Sequence, residues 1–339
     1  MCVRVIGLIF LAVSAVPPVF SQMGGSSVFR DCPECPEMIV VPRGGFRMGI
    51  PASMRTEVLA IESPQHDLTI AYEFSVGRFE VTVGQFAAFV EDSGYAPEKH
   101  EGCTALNQGM AWNLEAERDW RSPGFQQGDN HPVVCVSWTD AKAYLDWLSK
   151  KTGKTYRLLS ESEWEYVARA RSRGLRHWGD SDSDACRYAN VWDEAGPTGM
   201  GLVSRSDRAL TPGLSIPGTG ISERGGGTLR SSLGPWYRIT HWCTDSHTYT
   251  APVGKYLPNR FGLHDMIGNV WEWVEDCVNT SYIGAPSDGA AWRTGNCERR
   301  VQRGASWASV PRDTRVFRRV FRDMAFRSFD SGFRVARTM

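Results

Sequence analysis

Two carboxylates and the residues between them form the segment of the sequence best suited to binding a metal ion. Asp265 and Glu272 are separated by a stretch that contains Gly268 and Val270. Calcium takes about six to eight oxygen ligands from carboxylates, amides and backbone carbonyls, and this short segment offers both carboxylates and carbonyls. The alternative is that the two acidic side chains only cap a turn or form local pairs.

The cysteines are the second set of reactive side chains. The chain has 9 of them, and Cys2 lies before an N-terminal apolar run, which leaves an even number in the rest of the chain. An even number in an exported chain favours disulfides over free thiols. Cys32 and Cys35 form a CxxC pair, which we interpret as a small structural disulfide, with redox chemistry as the alternative. A zinc ribbon would need a second CxxC pair, which the sequence lacks.

Other catalytic signatures are weak. The 7 histidines form no HxH or HExxH pattern, although His241 and His247 lie on either side of Cys243. A Ser-His-Asp hydrolase has little support because no G-x-S-x-G motif is present. Arginines are frequent between positions 299 and 322. They suit either a groove for acidic substrates or, as the balanced charge favours, a solvated and ion-paired surface.

The composition limits the classes of function. Lys+Arg and Asp+Glu number 38 each, which gives no electrostatic reason to expect nucleic acid or anionic membrane as a partner. The 13 Trp and 34 Gly in 339 residues indicate a core of aromatic rings and tight turns.

The N-terminus has the pattern of an export signal. Arg4 precedes an apolar run at 5–16, which Pro17 and Pro18 end, and we predict cleavage after Ser21. Residues 1–21 are thus predicted as a signal peptide and 22–36 as a linker, and the mature protein is expected to be secreted or periplasmic. No later apolar run approaches the roughly 18 residues that span a bilayer.

Capping motifs predict three helices. Thr82 with Gln85, Ser137 with Asp140, and Ser160 with Glu163 each begin an apolar stripe of helical period. Short strands are predicted at 38–42, 46–49, 74–81 and 156–159, with loops at 50–65 and 103–131. Residues 194–240 are rich in Gly, Ser, Arg and Pro, and we interpret them as a flexible insertion in a domain that covers 37–339.

Several segments, in this order, resemble the formylglycine-generating-enzyme (sulfatase-modifying factor) family. They are PEMIVVPRGGFRMG at 36–49, FEVTVGQFAAFV at 79–90, HPVVCVSWTDAKAYLDWL at 131–148, YRLLSESEWEYVARA at 156–170, TAPVGKYLPNRFGLHDMIGNVWEW at 250–273, RVQRGASW at 300–307 and GFRVAR at 332–337. The resemblance implies an α+β fold related to C-type lectins, with little regular secondary structure and with bound calcium.

The resemblance also assigns ligands to two calcium sites. The first would use the side chains of Asp265 and Glu272 and the carbonyls of Gly268 and Val270. The second would use the side chains of Asn190 and Asp245 and the carbonyls of Val191 and His247.

The catalytic cysteine pair of that family is absent. Family members hold Cu(I) between two thiolates that follow a G-G-S-[YW] segment, and here Ser309 and Thr314 occupy the two positions. Hydroxyls are hard, protonated at neutral pH and poor ligands for Cu(I), so we do not expect copper. Ser306 and Trp271 match groups that line the family's pocket, but an ordinary turn and a core tryptophan are the alternatives.

Two functions remain open after this comparison. The first is a non-catalytic module that binds a peptide, a protein or a glycan on the lectin-like scaffold. The second is an oxidoreductase that modifies a peptide or a secondary metabolite by a route without copper, as in siderophore maturation. The missing thiols favour the first function, whereas the retained Trp271 and Ser306 support the second.

The layout of the cysteines predicts their pairing. Each predicted bond closes a loop that the core alone would not order, or, at the CxxC, a short turn. The predicted pairs are Cys32–Cys35, Cys103–Cys135, Cys186–Cys243 and Cys277–Cys297.

Overall fold

The structure, a computed structural model, describes residues 28–54, 57–97, 102–106, 112–193 and 240–339. The predicted signal peptide and almost all of the predicted insertion at 194–240 lie outside the described residues. Within the described residues, no helix is long and apolar enough to cross a membrane.

Three of the four α-helices among the described residues begin where the capping motifs predict, and the fourth was not predicted. They are α1 (Val83–Ser93), α2 (Trp138–Thr152), α3 (Glu161–Arg169) and the short α4 (Ala185–Tyr188). Each of the first three carries a reciprocal capping box, formed by Thr82 with Gln85, Ser137 with Asp140 and Ser160 with Glu163. These side chains satisfy backbone N–H groups that a helix start leaves without acceptors, which explains why local sequence defines the starts.

The strands are short. In chain order they are β1 (Val28–Phe29), β2 (Met38–Val41), β3 (Gly44–Met48), β4 (His66–Ile70), β5 (Phe74–Gly77), β6 (Cys103–Leu106), β7 (Trp112–Glu115), β8 (Tyr156–Leu158), β9 (Trp271–Val278), β10 (Asn296–Arg303), β11 (Arg319–Asp323), β12 (Ser331–Phe333) and β13 (Val335–Thr338). Together with the few helices they give the α+β fold with little regular secondary structure that the sequence predicts.

Two sheets organise the chain. The larger sheet has the order β1-β2-β5-β13-β8, with antiparallel neighbours throughout. The second has the order β11-β10-β9-β12, and β12 runs parallel to β9. The hairpins β3-β4 and β6-β7 complete the set, and β6-β7 lies within the predicted loop at 103–131.

The segment predicted as a linker contributes to the larger sheet. Val28 and Phe29 pair with Ile39 and Met38 as an edge strand. Cys32 and Cys35 are bonded just beyond it, and Cys35 is buried. Residues 28–36 are therefore packed on the domain, which differs from the predicted linker.

The disulfides of the structure join the four predicted pairs. Sequence separations are 3 for Cys32–Cys35, 32 for Cys103–Cys135, 57 for Cys186–Cys243 and 20 for Cys277–Cys297. All eight cysteines among the described residues are thus oxidised.

Several arginines of the C-terminal run are buried, contrary to the solvated surface that the sequence favoured. Arg303 lies 3.1 Å from Glu161 and 2.6 Å from Glu165, and Arg319 lies 2.7 Å from Glu161. Arg315 binds Glu62 at 2.9 Å. Charges with so little access to water need paired partners. The pairs of Arg303 and Arg319 join β10 and β11 to α3, and the pair of Arg315 joins the segment between these strands to the 3-10 helix Glu57–Glu62.

Candidate functional site

The site is built around Ser309 and Thr314, the two positions at which the resemblance described above implies cysteines in the family. Both lie in the turn-rich segment that follows β10, where Gly304 and Ala305 have φ angles of 98° and 65°. The Ser306 backbone N–H donates to Ser309 Oγ over 2.9 Å, which closes a tight turn, and Trp192 N–H donates to the Ser309 carbonyl over 3.1 Å. The Ser309 side chain is therefore held in place by the backbone.

A buried carboxylate supports this turn. Ser306 Oγ donates to Asp330 over 2.9 Å and lies 3.3 Å from Ser309 Oγ, and Ser328 Oγ donates to the other oxygen of Asp330 over 2.6 Å. Burial raises the pKa of Asp330, although the two hydroxyl donors oppose that shift. The backbone N–H of Trp271 donates to the backbone carbonyl of Asp330 over 2.8 Å, so the start of β9 is joined to the segment that carries this carboxylate.

Thr314 belongs to a second hydrogen-bond network. Its Oγ1 donates to the Pro311 carbonyl over 3.0 Å and lies 3.2 Å from His241 Nε2. The buried Arg176 guanidinium donates to the Thr314 carbonyl over 2.8 Å and approaches Oγ1 at 3.3 Å. The threonine hydroxyl is completely buried, so it is a structural group in this arrangement.

His241 and Asp330 were missed by sequence reasoning. His241 lies 73 positions before Thr314, and no local motif marks either residue. Burial, aided by Arg176, lowers the pKa of His241 to about 3, so the ring is neutral at physiological pH. His241 lies two positions before Cys243, whose disulfide to Cys186 fixes this segment. The predicted disulfide was therefore the one sequence feature that could have indicated a defined position for His241.

The donors around this site do not fit Cu(I). Soft thiolates are the ligands that monovalent copper prefers. Here both positions carry hydroxyls engaged in hydrogen bonds, and every described cysteine is in a disulfide. No step through copper can be derived for these residues.

An aromatic cluster extends from the site to the surface. Trp307 lies 5.1 Å from Tyr249 and 5.0 Å from Phe329, between ring centroids, and Phe125 stacks on Tyr249 at 4.5 Å. Trp112 on β7 packs edge-on against Phe329 at 5.5 Å and remains 52% exposed. These five rings lead from the core beside Ser306 to a solvent-exposed tryptophan.

The first predicted calcium site contains one oxygen that is suited to a cation. Asp265 Oδ2 accepts from Gly254 N–H over 2.7 Å, whereas its Oδ1 is buried and has no hydrogen-bond partner among the described residues. Glu272 is engaged differently, because Arg334 binds it at 2.8 Å and Trp164 Nε1 donates to it over 2.7 Å. Arg334 thus supplies the positive charge that faces Glu272.

The structure brings together the residues of the second predicted calcium site. Asp245 accepts from the N–H groups of Val191 and His247 over 2.9 and 2.8 Å. Asn190 Oδ1 is buried without a donor in the part of the chain that the structure describes. Burial and the nearby Asp193 raise the pKa of Asp245 to about 7. Buried oxygens of this kind fit a hard cation such as Ca²⁺.

Asp193 is a further acidic residue at this second site that the sequence did not single out. Its carboxylate accepts from Asp245 N–H over 2.7 Å. Carboxylate oxygens of Asp193 and Asp245 lie within 4.8 Å of each other and of Cys186 Sγ, whose disulfide removes it as a thiolate ligand.

Comparison with known proteins decides the family. The model of the sulfatase-modifying factor enzyme 1-like domain matches residues 26–215 and 226–339. The chain belongs to the sulfatase-modifying factor family. The formylglycine-generating enzyme of Streptomyces coelicolor is 29% identical over 270 residues, which are 73% of this chain and 71% of that relative.

Other relatives of this sulfatase-modifying factor protein cover more of the chain. The inactive C-alpha-formylglycine-generating enzyme 2 of Bos taurus is 26% identical over 322 residues, covering 88% of this chain and 85% of the relative. The structure of PvdO from Pseudomonas aeruginosa is similar with a TM-score of 0.68 and 34% identity, over 93% of this chain and 99% of that one. The predicted family and fold are therefore confirmed.

Proposed function

We propose that this protein is an exported family member without copper that binds a peptide or a glycan on its lectin-like scaffold. The observation that carries this proposal is the replacement of both thiols by Ser309 and Thr314, whose hydroxyls are engaged in internal hydrogen bonds. The likeness to a relative named as inactive supports it. The predicted signal at 1–21 and the four disulfides support an oxidising compartment, periplasmic or extracellular.

The aromatic cluster is the binding surface in this proposal. Trp112 is exposed on the edge strand β7, and Leu114, two positions on, is 65% exposed. Side chains two positions apart on a strand lie on the same face, so Trp112 and Leu114 form one exposed apolar surface beside the site. Tryptophan supplies large contact area for sugar rings and peptide side chains.

Array binding tests the surface directly. We expect a peptide or glycan that binds the wild-type protein to have an affinity for Trp112→Ala that is lower by about ten-fold or more. The exposed ring supplies much of the contact, so its removal takes away much of the binding energy. Leu257→Ala, at another exposed apolar residue, is the control that should retain binding. A ligand whose affinity is the same for Trp112→Ala and wild type would contradict the proposal.

The protein is expected not to oxidise a cysteine-containing sulfatase-type peptide to formylglycine. Hydroxyls at 309 and 314 cannot hold Cu(I), so incubation with peptide, oxygen and Cu(I) should leave the peptide mass unchanged. Mass spectrometry checks this, with a copper-loaded formylglycine-generating enzyme as positive control. Copper-dependent formation of the aldehyde by the unaltered protein would overturn it.

A second candidate function is an oxidoreductase that works without copper on a peptide or a secondary metabolite. It is favoured by the retained Ser306, whose hydroxyl donates to the buried Asp330, and by the likeness to relatives named formylglycine-generating enzyme. The two functions are separated by incubating a captured ligand with the protein under air and under nitrogen. An oxygen-dependent change in the mass of the ligand supports the enzyme, whereas an unchanged ligand supports the binding module.

We also propose calcium as a structural ion, supported by the buried oxygens of Asn190 and Asp265. When free calcium is about 100 times its dissociation constant, binding stabilises the native state by about 2.7 kcal/mol, so EGTA should lower the melting temperature by about 5 °C or more. Differential scanning fluorimetry with calcium, magnesium and EGTA measures this. Asp265→Ala should abolish part of the response, and a melting temperature indifferent to EGTA would refute the ion.

A further inference from the structure

A cavity lies between the end of α1 and the segment after β7, apart from the site around Ser309 and Thr314. Its volume is about 260 Å³. Its walls are Tyr95, Ala96, Pro97, Gly102, Ala116, Glu117, Arg118, Asp119, Trp120, Arg121, Cys135 and Arg327. None of Ser306, Ser309 and Thr314 contributes to it. The volume lies just below that of typical small-molecule sites, which suits a ligand of few atoms.

Arg118 is a wall residue whose guanidinium has no carboxylate partner among the described residues. It is half-buried, and its Nη1 donates to the Pro123 carbonyl over 3.2 Å. Gly124 packs so closely that a Cβ there would lie 2.2 Å from this nitrogen, so the loop holds the guanidinium in position. Across the described ranges, no carboxylate lies within ion-pair distance of Arg118. A positioned guanidinium with donors to spare is suited to a carboxylate.

Trp120 contributes a second donor without an acceptor. The side chain is 5% exposed, and its indole N–H is buried with no hydrogen-bond partner in the described chain. The Arg121 guanidinium covers the ring at 4.2 Å and Phe86 packs against it at 5.1 Å, so the indole is fixed. A buried donor without an acceptor is costly, and an acceptor on a ligand would relieve that cost.

The remaining charges of the wall are compensated or solvated. Asp119 lies 3.6 Å from Arg121, and Asp140 lies 2.9 Å from Arg327. Glu117 is exposed to solvent. Apolar groups of Pro97 and Ala116 form part of the same wall. The cavity wall thus contains a guanidinium without a carboxylate partner, an indole whose N–H has no acceptor among the described residues, and apolar groups.

We propose that this cavity binds a small carboxylate with an apolar body. The carboxylate accepts from the Arg118 guanidinium and the Trp120 indole N–H, and the apolar body packs against Pro97 and Ala116. The carboxylate belongs either to a free small molecule or to the C-terminus of a peptide, and both present the same group to the same donors.

Isothermal titration calorimetry on the full-length protein tests the proposal with phenylacetate and its neutral isostere phenylacetamide. We expect phenylacetate to bind, and we expect the affinity for phenylacetamide to be lower by about ten-fold or more. Only the acid forms an ion pair with Arg118. Acetyl-glycyl-phenylalanine, with a free C-terminus, distinguishes the sources: tighter binding than phenylacetate indicates a peptide terminus, and weaker binding a small molecule. Equal affinity for acid and amide, or no binding of either at millimolar concentration, overturns the site.

Substitutions of single wall residues test whether Arg118 and Trp120 bind the carboxylate. Arg118→Gln should weaken phenylacetate binding about ten-fold or more, whereas Glu117→Gln, which removes a negative charge from the same wall, should leave it equal or tighter. Melting curves show whether each variant is folded. Trp120→Phe keeps an aromatic ring but removes the donor, and it should weaken binding independently of Arg118. Unchanged affinity in both Arg118→Gln and Trp120→Phe refutes the proposal.

Discussion

Arg303→Met is expected to lower the free energy of unfolding by about 3–5 kcal/mol, because it removes one of the two guanidinium partners from each of two buried carboxylates. Arg303 is fully buried between Glu161 and Glu165, and its guanidinium also donates to the carbonyls of Val316 and Phe317. Burial opposes ionisation of Glu165, yet Arg169 and Arg303 together hold its pKa below the usual value. Arg169 and Arg319 would remain as partners, but both carbonyls would lose a donor.

Urea unfolding followed by tryptophan fluorescence measures this loss. The matched control is Arg299→Met on the same strand, β10, where the pair with Asp323 is exposed and separated by 3.4 Å. An exposed pair contributes about 0–1 kcal/mol, so the control should be close to wild type. Similar losses in the two variants would show that the buried network contributes no more than a surface ion pair.

Removing the Cys186–Cys243 bond is the second change expected to have a large effect. The bond closes a loop with a sequence separation of 57, and in the chain-entropy model such a loop contributes about 4 kcal/mol. The double variant Cys186→Ala, Cys243→Ala should therefore unfold at markedly lower denaturant concentration. It should also weaken the contact between the Asn190 and Asp245 segments, since the bond lies next to both.

Cys32→Ala with Cys35→Ala is the matched control for loop length. Its sequence separation is 3, for which the same model gives about 1.6 kcal/mol. Both double variants are compared by urea unfolding at one pH and one calcium concentration. If the two losses were equal, or if the control lost more, loop closure would not account for the stabilisation.

The local features of this fold were predictable from sequence, since they depend on residues only a few positions apart. Thr82 with Gln85 is an example: both hydrogen bonds of the capping box form over three positions, so the helix start is encoded in four residues. Gly94 and Gly153 end their helices with φ angles of 67° and 68°, in the left-handed conformation that glycine adopts readily at helix C-termini.

The features that sequence missed depend on distant partners. The hairpin β6-β7 lies where a loop was predicted at 103–131, and no strand was predicted over β4, whose His66 and Asp67 pair with Met48 and Arg47 of β3. The position of His241 beside Thr314 follows from tertiary packing across 73 positions. Arginines carry the same charge on a surface as in a core, so their burial against Glu161 could not be read from composition.

The place of β13 in the larger sheet has a consequence for synthesis of the chain. Val335–Thr338 lies between β5 and β8, so two strands from much earlier in the sequence are joined through it. Pairings of such sequence separation form slowly, because loop closure must precede them. Until the ribosome has added β13, β5 and β8 lack the strand that joins them, and a product that ends before Val335 cannot close the sheet.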